Sequence, residues 1–174
     1  MFKKNLVLDA SAFIGGYVPE KECNFTVSEI TDEVKDLKSL MIMERAIKEG
    51  NLIIDQPDEE DVLKVESSIK NSGDNLRLSN PDKKILALAL SIKKRKGNVN
   101  VITDDYSIQN ALKILGIPFR SILTPGISEV YNWKKICRGC KKKFSEDYLE
   151  DECDICGSPI HKKRFKSPKM KKKS

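Results

Sequence analysis

The chain has 174 residues, 39% hydrophobic and 33% charged, enough for one ordinary domain with a small appendage. No apolar run approaches the roughly 20 residues of a membrane helix, and Met1-Phe2-Lys3-Lys4 lacks the apolar region and cleavage site of a secretory signal, so a soluble, cytoplasmic protein without a membrane partner is expected. The net charge of +6 is uneven: residues 134–174 hold 14 basic and 6 acidic side chains, a balance of +8 against −2 for residues 1–133, which points to a polyanion, most often nucleic acid.

Asn5-Leu-Val-Leu-Asp9 reads as a short buried strand ending on an acid. Ala10 to Gly16 makes a helical turn broken by two glycines. Thr26-Val-Ser-Glu29 has the spacing of a capping box and opens a helix to about Lys48, with the stripe Ile30, Val34, Leu37 and Met41. Cys23 stands alone as a small hydrophobe. Asn51-Leu-Ile-Ile-Asp55 is a second strand. Pro57 and the following acids start a helix through Val62, Val65 and Ile69 that stops near Gly73.

Ser79-Asn-Pro-Asp82 opens the next helix, with Pro81 in its first turn. Ile85 to Ile92 is apolar nearly all round and is expected to be buried. Asn98 to Asp104 is a third strand, Tyr106 to Leu115 a helix stopped by Gly116, and Pro118 to Leu123 a fourth strand. Strands alternating with helices predict an α/β domain with a parallel sheet flanked by helices. Thr124-Pro-Gly126 begins a linker.

Ligands bind beyond the carboxyl ends of the strands in open parallel α/β sheets. Asp9 and the pair Asp104-Asp105 end strands at that edge, and Asp82 starts the buried helix near it. Glu33 follows Ile30 by three and precedes Leu37 by four, beside the apolar stripe. A carboxylate there is costly unless it is paired or ligates a metal. Converging carboxylates suit Mg²⁺ or Mn²⁺ and the metal-assisted cleavage of a phosphodiester. The only histidine is His161 in the basic end, so a histidine acid–base mechanism is disfavoured. Structural alternatives stay open for each acid: Asp82 as a cap with Ser79, Asp9 as a turn acid, Asp104 or Asp105 as a helix cap, and Glu33 paired with Lys or Arg.

Cys137, Cys140, Cys153 and Cys156 form the pattern C-x2-C-x12-C-x2-C, a zinc site in a cytosolic chain. Four thiolates leave no open position, so this zinc is structural, and it supplies folding energy to a module too small for its own core. Gly139 and Gly157 allow the tight turns at the thiolates. Lys134, Lys135, Arg138, Lys141, Lys142 and Lys143, interleaved with Trp133 and Phe144, suit RNA through phosphate contacts and base stacking. Packing of the ribbon is the alternative role for the two aromatics.

These motifs together resemble the PIN domain, a ribonuclease domain. The resemblance rests on Leu-Val-Leu-Asp9-Ala-Ser-Ala, on Glu33 in Ser-Glu-Ile-Thr-Asp-Glu33-Val, on Asp82 in Leu-Ser-Asn-Pro-Asp82, and on Thr103-Asp104-Asp105. Asp9, Glu33 and Asp82 match one position each, Asp104 and Asp105 both stand near the last, and Thr103 matches the strand-end threonine. Within that class, Leu78-Ser-Asn-Pro-Asp82, Val101 to Asn110 and the ribbon that follows directly resemble the archaeal form of the Nin-one-binding endonucleases of ribosome assembly. The resemblance extends to about Pro159. It implies a catalytic Mn or Mg ion, cleavage of precursor small-subunit rRNA at its mature 3′ end with 5′-phosphate and 3′-hydroxyl products, the assembling small ribosomal subunit as partner, and no small-molecule cofactor. The expected organisation is a nuclease domain at 1–123, a linker at 124–132, a zinc ribbon at 133–160 and a disordered basic tail at 161–174. The rival readings are a non-catalytic RNA-binding assembly factor and a toxin-type PIN ribonuclease. An Asp-x-Asp phosphatase is disfavoured because Ala10 and Ser11 follow Asp9.

Overall fold

The computed structural model describes residues 4–20, 22–72, 77–127 and 129–166. The expectations for Met1–Lys3, for Gly73 and for the lysine-rich end from 167 lie outside these residues.

Five parallel strands form the main sheet: β1 (Asn5–Leu8), β2 (Cys23–Thr26), β3 (Leu52–Ile54), β4 (Val99–Ile102) and β5 (Phe119–Arg120), in the order β3-β2-β1-β4-β5. The helices are α1 (Ala10–Ile14), α2 (Ser28–Glu33), α3 (Leu37–Lys48), α4 (Glu59–Ser72), α5 (Asn80–Lys96) and α6 (Tyr106–Leu115). β1 is buried throughout because both sheet faces are covered, as its unbroken apolar run requires. Ile85 through Ile92 of α5 are all buried, which explains a helix with no polar face over that span. Burying Phe13 and Phe25 contributes roughly 2–3 kcal/mol each. Gly116 ends α6 at φ +65°, a left-handed cap that suits glycine.

Three expectations are corrected. The helix from Thr26 to Lys48 is instead β2, α2 and α3. Thr26 does not cap a helix, because its hydroxyl donates to the Leu8 carbonyl (2.9 Å) inside the sheet. The break falls at Val34–Asp36, where the Asp36 carboxylate accepts from the Ser39 amide (2.9 Å) and starts α3 on a new register. Leu37 and Met41 are therefore 74% and 62% exposed, and Ser39, Met43 and Ala46 face inward.

The strand at Pro118–Leu123 is shorter than expected, because the amides of Ile122 and Leu123 turn to the Asp104 carboxylate. The basic segment from 161 is strand through Lys166. Here β8 (Ile160–Lys166) lies along β6 (Tyr131–Cys137) over seven antiparallel pairs, with β7 (Lys143–Phe144) on the other side of β6. Backbone pairing overrides a charged sequence that carries no apolar alternation.

The main hydrophobic core runs from Leu6 to Ile117 and includes no residue of this second sheet. The two modules meet at α4, where Lys70 pairs with Asp147 (3.9 Å), and at α6. Its Asn110 side chain donates to the Tyr131 carbonyl and accepts from the Tyr131 amide, both at 2.6 Å, and its Gln109 side chain accepts from the Ile127 amide (3.0 Å). Among the described residues, no helix is long and apolar enough to cross a membrane.

Candidate functional site

The chain steps from β1 outward to β2 and β3, then crosses back to β4 on the far side of β1. The crevice beyond the ends of β1 and β4 is therefore the switch point of the sheet. Asp9 leaves β1 there, 4% exposed. Its Oδ2 accepts from the Ser11 hydroxyl (2.7 Å) and the Thr103 hydroxyl (2.9 Å). The same hydroxyls accept from the neighbouring backbone, Ser11 from the Asp104 amide (2.9 Å) and Thr103 from the Asp105 amide (3.1 Å). Ser11 thus joins the first acid to the strand-end pair. The sequence reading missed this role, although its only local signal is a hydroxyl two residues after Asp9.

Asp82 forms a reciprocal capping box with Ser79, its Oδ2 accepting from the Ser79 amide (2.7 Å). Asp105 caps α6, and both bonds, from the amides of Ser107 (2.6 Å) and Ile108 (3.1 Å), fall on Oδ1. The capping alternatives for these acids are real, yet capping does not remove them from the crevice. Burial raises the pKa of Asp82, and the Asp105 charge adds to it. Partial desolvation raises Glu33, which is otherwise exposed, and the charges of Asp82 and Asp9 add to it. Burial raises Asp9 against its hydroxyl bonds, and Asp82 adds to it. Asp9, Glu33, Asp82 and Asp105 therefore share one field.

Asp104 is different. Burial opposes its charge, but the amides of Thr124, Leu123 and Ile122 and the Thr124 hydroxyl outweigh it, and its pKa is lowered. Its Oδ1 accepts from Ile122 (3.0 Å), Leu123 (3.1 Å), Thr124 (3.0 Å) and the Thr124 hydroxyl (3.0 Å), and its Oδ2 also accepts from Leu123 (3.2 Å). Asp104 fastens the loop after β5.

A divalent cation with oxygen ligands would relieve the repulsion among these carboxylates. Without a cation the folded state holds protons that the unfolded state releases. These three raised acids, Asp9, Glu33 and Asp82, therefore contribute stability that is fully present at and below the ordinary carboxylate range of about 4 and is lost as pH rises through their elevated values. Glu33→Gln removes one of the repelling charges. In a metal chelator at pH 7 it is expected to raise the melting temperature by about 1–2 °C and to shrink the stabilisation that added Mn²⁺ brings. A lower melting temperature by calorimetry would count against this field.

In the ribbon, Cys137, Cys140, Cys153 and Cys156 bring their sulfurs within 4.8 Å of one another, the one such metal-ligand group among the described residues. The carboxylates stand further apart. Sulfur contacts of 3.4 Å (Cys137–Cys156) and 3.5 Å (Cys140–Cys153) suit the edges of a tetrahedron around zinc. The Ser158 hydroxyl and amide, with Cys137, lower the Cys156 thiol to about 6, so a thiolate is ready there. Both glycines serve the knuckles: Gly157 turns at φ +66°, and a Cβ on Gly139 would lie 2.4 Å from Ser158 Oγ.

The basic residues divide. Lys135 donates to the carbonyls of Glu146 (3.0 Å) and Tyr148 (2.7 Å), Lys142 pairs with Asp154 (2.7 Å), and Lys141 reaches the Arg138 carbonyl, all within the ribbon. Arg138, Lys134 and Lys143 are exposed. Lys134 lies directly opposite Lys163, and Lys143 and Lys163 each place Nζ 5.9 Å from the Phe165 ring. Like charges opposed across a sheet are destabilising without an anion between them. Phe165 and Lys163 escaped the sequence reading because β8 had no pattern to mark it. Phe144 packs against Tyr148 within the ribbon, the rings tilted 43° with centroids 4.4 Å apart, whereas Trp133 lies under Arg77 of the main module.

Comparison with known proteins adds to this geometry. A family model described as the PIN domain of ribonuclease matches residues 6–92. The chain is 52% identical over 161 residues to the protein named Endoribonuclease Nob1 of Methanothermobacter thermautotrophicus, covering 92% of this chain and 94% of that one. It is 44% identical over 169 residues to the protein of the same name in Methanocaldococcus jannaschii, covering 96% and 81%. With the Ribonuclease VapC1 of Thermoplasma acidophilum it shares 36% identity over 117 residues, 67% of this chain and 57% of that one.

Proposed function

Because the chain belongs to the PIN-domain ribonucleases, and within them to the family of archaeal Nob1 endoribonucleases, we propose that this endoribonuclease cuts precursor small-subunit rRNA at its mature 3′ end during assembly of the small ribosomal subunit in the cytoplasm. The observation that carries the catalytic part is the shared field of Asp9, Glu33, Asp82 and Asp105 at the switch point of the sheet. Those four acids are assigned to hold Mn²⁺ or Mg²⁺, and Asp104 to hold the loop. When bound, such an ion lowers the pKa of a coordinated water and offsets charge on the phosphate. The chain's own part is placement. Ser11 and Thr103 fix the Asp9 carboxylate, and the caps of α5 and α6 fix Asp82 and Asp105. The sole histidine stands on β8 in the ribbon, so the acids work without an imidazole from the nuclease module.

The four cysteines are assigned one structural zinc. Residues 1–123 are read as the nuclease unit, and the ribbon is read as extending to the end of β8. Lys134, Arg138 and Lys143, with Lys163 and Phe165, are read as the face that grips RNA by phosphate contact and stacking. A toxin-type ribonuclease leaves the ribbon without a role.

The test is an RNA spanning the small-subunit 3′ end, incubated with Mn²⁺ or with EDTA. Wild type is expected to cut at one position with Mn²⁺ only, and Asp9→Asn not at all. Equal cleavage by the two proteins would remove the catalytic assignment. Binding without cleavage by wild type would favour a pure RNA-binding factor.

A further inference from the structure

One residue, Arg77, touches the ribbon and both acid turns of the crevice. The Arg77 guanidinium stacks on the Trp133 ring of β6, 4.1 Å from its centroid. Its Nε donates to the Ser107 hydroxyl at 3.3 Å. Each neighbour leads to an acid. Arg77 precedes by two residues Ser79, the partner of Asp82 in the capping box, and Leu78 between them is buried. Ser107 follows Asp105 by two residues, and its amide donates to Asp105 Oδ1 at 2.6 Å. Arg77 is thus tied by the chain to the Asp82 turn, by a hydrogen bond to the Asp105 turn, and by its ring contact to the ribbon.

We propose that Arg77 is a positioning residue that couples the seat of the ribbon to the spacing of Asp82 and Asp105, so that RNA held by the ribbon meets a correctly spaced acid pair. The proposal rests on the catalytic reading given above. Three features make the coupling mechanical. Arg77 and Ser79 are only two residues apart with Leu78 buried between them, so the seat of Arg77 and the Asp82 turn share one short tether. A planar guanidinium holds its orientation between a ring and a hydroxyl, which an ammonium does not. The Asn110–Tyr131 pair fixes the first residue of β6, leaving Trp133 little freedom to follow Arg77.

Trp133 is the only tryptophan, so its fluorescence reads the clasp without reference to activity. Arg77→Ala is expected to shift that emission to the red and to increase its quenching by acrylamide. In cleavage of the 3′-end RNA with Mn²⁺, Arg77→Ala and Trp133→Leu are each expected to lower kcat by about tenfold, as misplacement of reacting groups does, and to leave KM within about twofold. The double variant is expected to be no worse than the poorer single one, because both break one contact. Arg77→Lys keeps the charge but loses the stack, and is expected to stay closer to Arg77→Ala than to wild type.

A raised KM at unchanged kcat would make Arg77 a phosphate contact and overturn the coupling, as would losses that multiply in the double variant. Unchanged kcat and fluorescence in Arg77→Ala, beside a wild type that cuts and an Asp9→Asn that does not, would overturn the coupling alone. A wild type that does not cut would overturn the catalytic reading, and the coupling with it.

Discussion

Asp105→Asn is expected to lower RNA cleavage by about 10²–10³-fold with the fold intact, and Asp104→Asn to loosen the fold while retaining most of the cleavage. The two acids are adjacent in sequence, and their surroundings assign them opposite tasks. Asp105 caps α6 through Oδ1 alone and raises the pKa of Asp82 across the crevice. Asparagine is as good a cap as aspartate, so the helix keeps its start. What disappears is one negative charge from the proposed cation seat, a loss on the scale of removing one electrostatic partner of a transition state.

Asp104 accepts from three consecutive amides and a hydroxyl of the loop after β5. An asparagine there sets an NH₂ group against the Leu123 amide that now approaches Oδ2 at 3.2 Å. The expected cost is about 1–2 kcal/mol, tempered by solvent access, or a drop of about 3–6 °C in melting temperature. Single-turnover rates and thermal melts of the two variants, side by side, decide the matter. A stable Asp104→Asn protein that does not cut would transfer the metal role to Asp104.

Removal of zinc is expected to unfold the ribbon and leave the nuclease module folded. The main core contains no ribbon residue, and the buried ribbon side chains are few: Ile136, Cys137 and Cys153. So small a core cannot offset the entropy of ordering the module, and metal–thiolate binding, about 10–16 kcal/mol in small zinc modules, has to do so. A strong zinc chelator should move Trp133 emission to that of an exposed indole, while the helical circular dichroism of the nuclease module persists. Affinity for the 3′-end RNA should fall by about tenfold or more as the basic face is lost. Simultaneous loss of helical signal would show that the two modules share one folding unit.

Local chemistry explains what was legible in the sequence. The two C-x2-C pairs need only short-range geometry, so spacing alone identified the thiolate cluster. Asp9, Asp82 and the Asp104-Asp105 pair were legible because strand ends and helix starts have their own signals, and a parallel sheet sends them to one edge. The buried α5 was legible from an apolar run with no polar face.

Other features depended on partners distant in the chain. Thr26 looked like a helix cap because its true acceptor, the Leu8 carbonyl, lies 18 residues back across the sheet. The division of labour between Asp104 and Asp105 depends on where the amides of Ile122–Thr124 fall. Lys135 and Lys142 look like Lys134 and Lys143 in sequence, and only the ribbon fold ties the first two down and leaves the others exposed. The sequence by itself determined the fold class and the cysteine cluster and nominated the acids, because each follows from short-range patterns along the chain. Tertiary structure alone decided which acids share a field, which lysines stay available and how Arg77 meets Trp133, because those outcomes depend on contacts between elements that spacing does not encode.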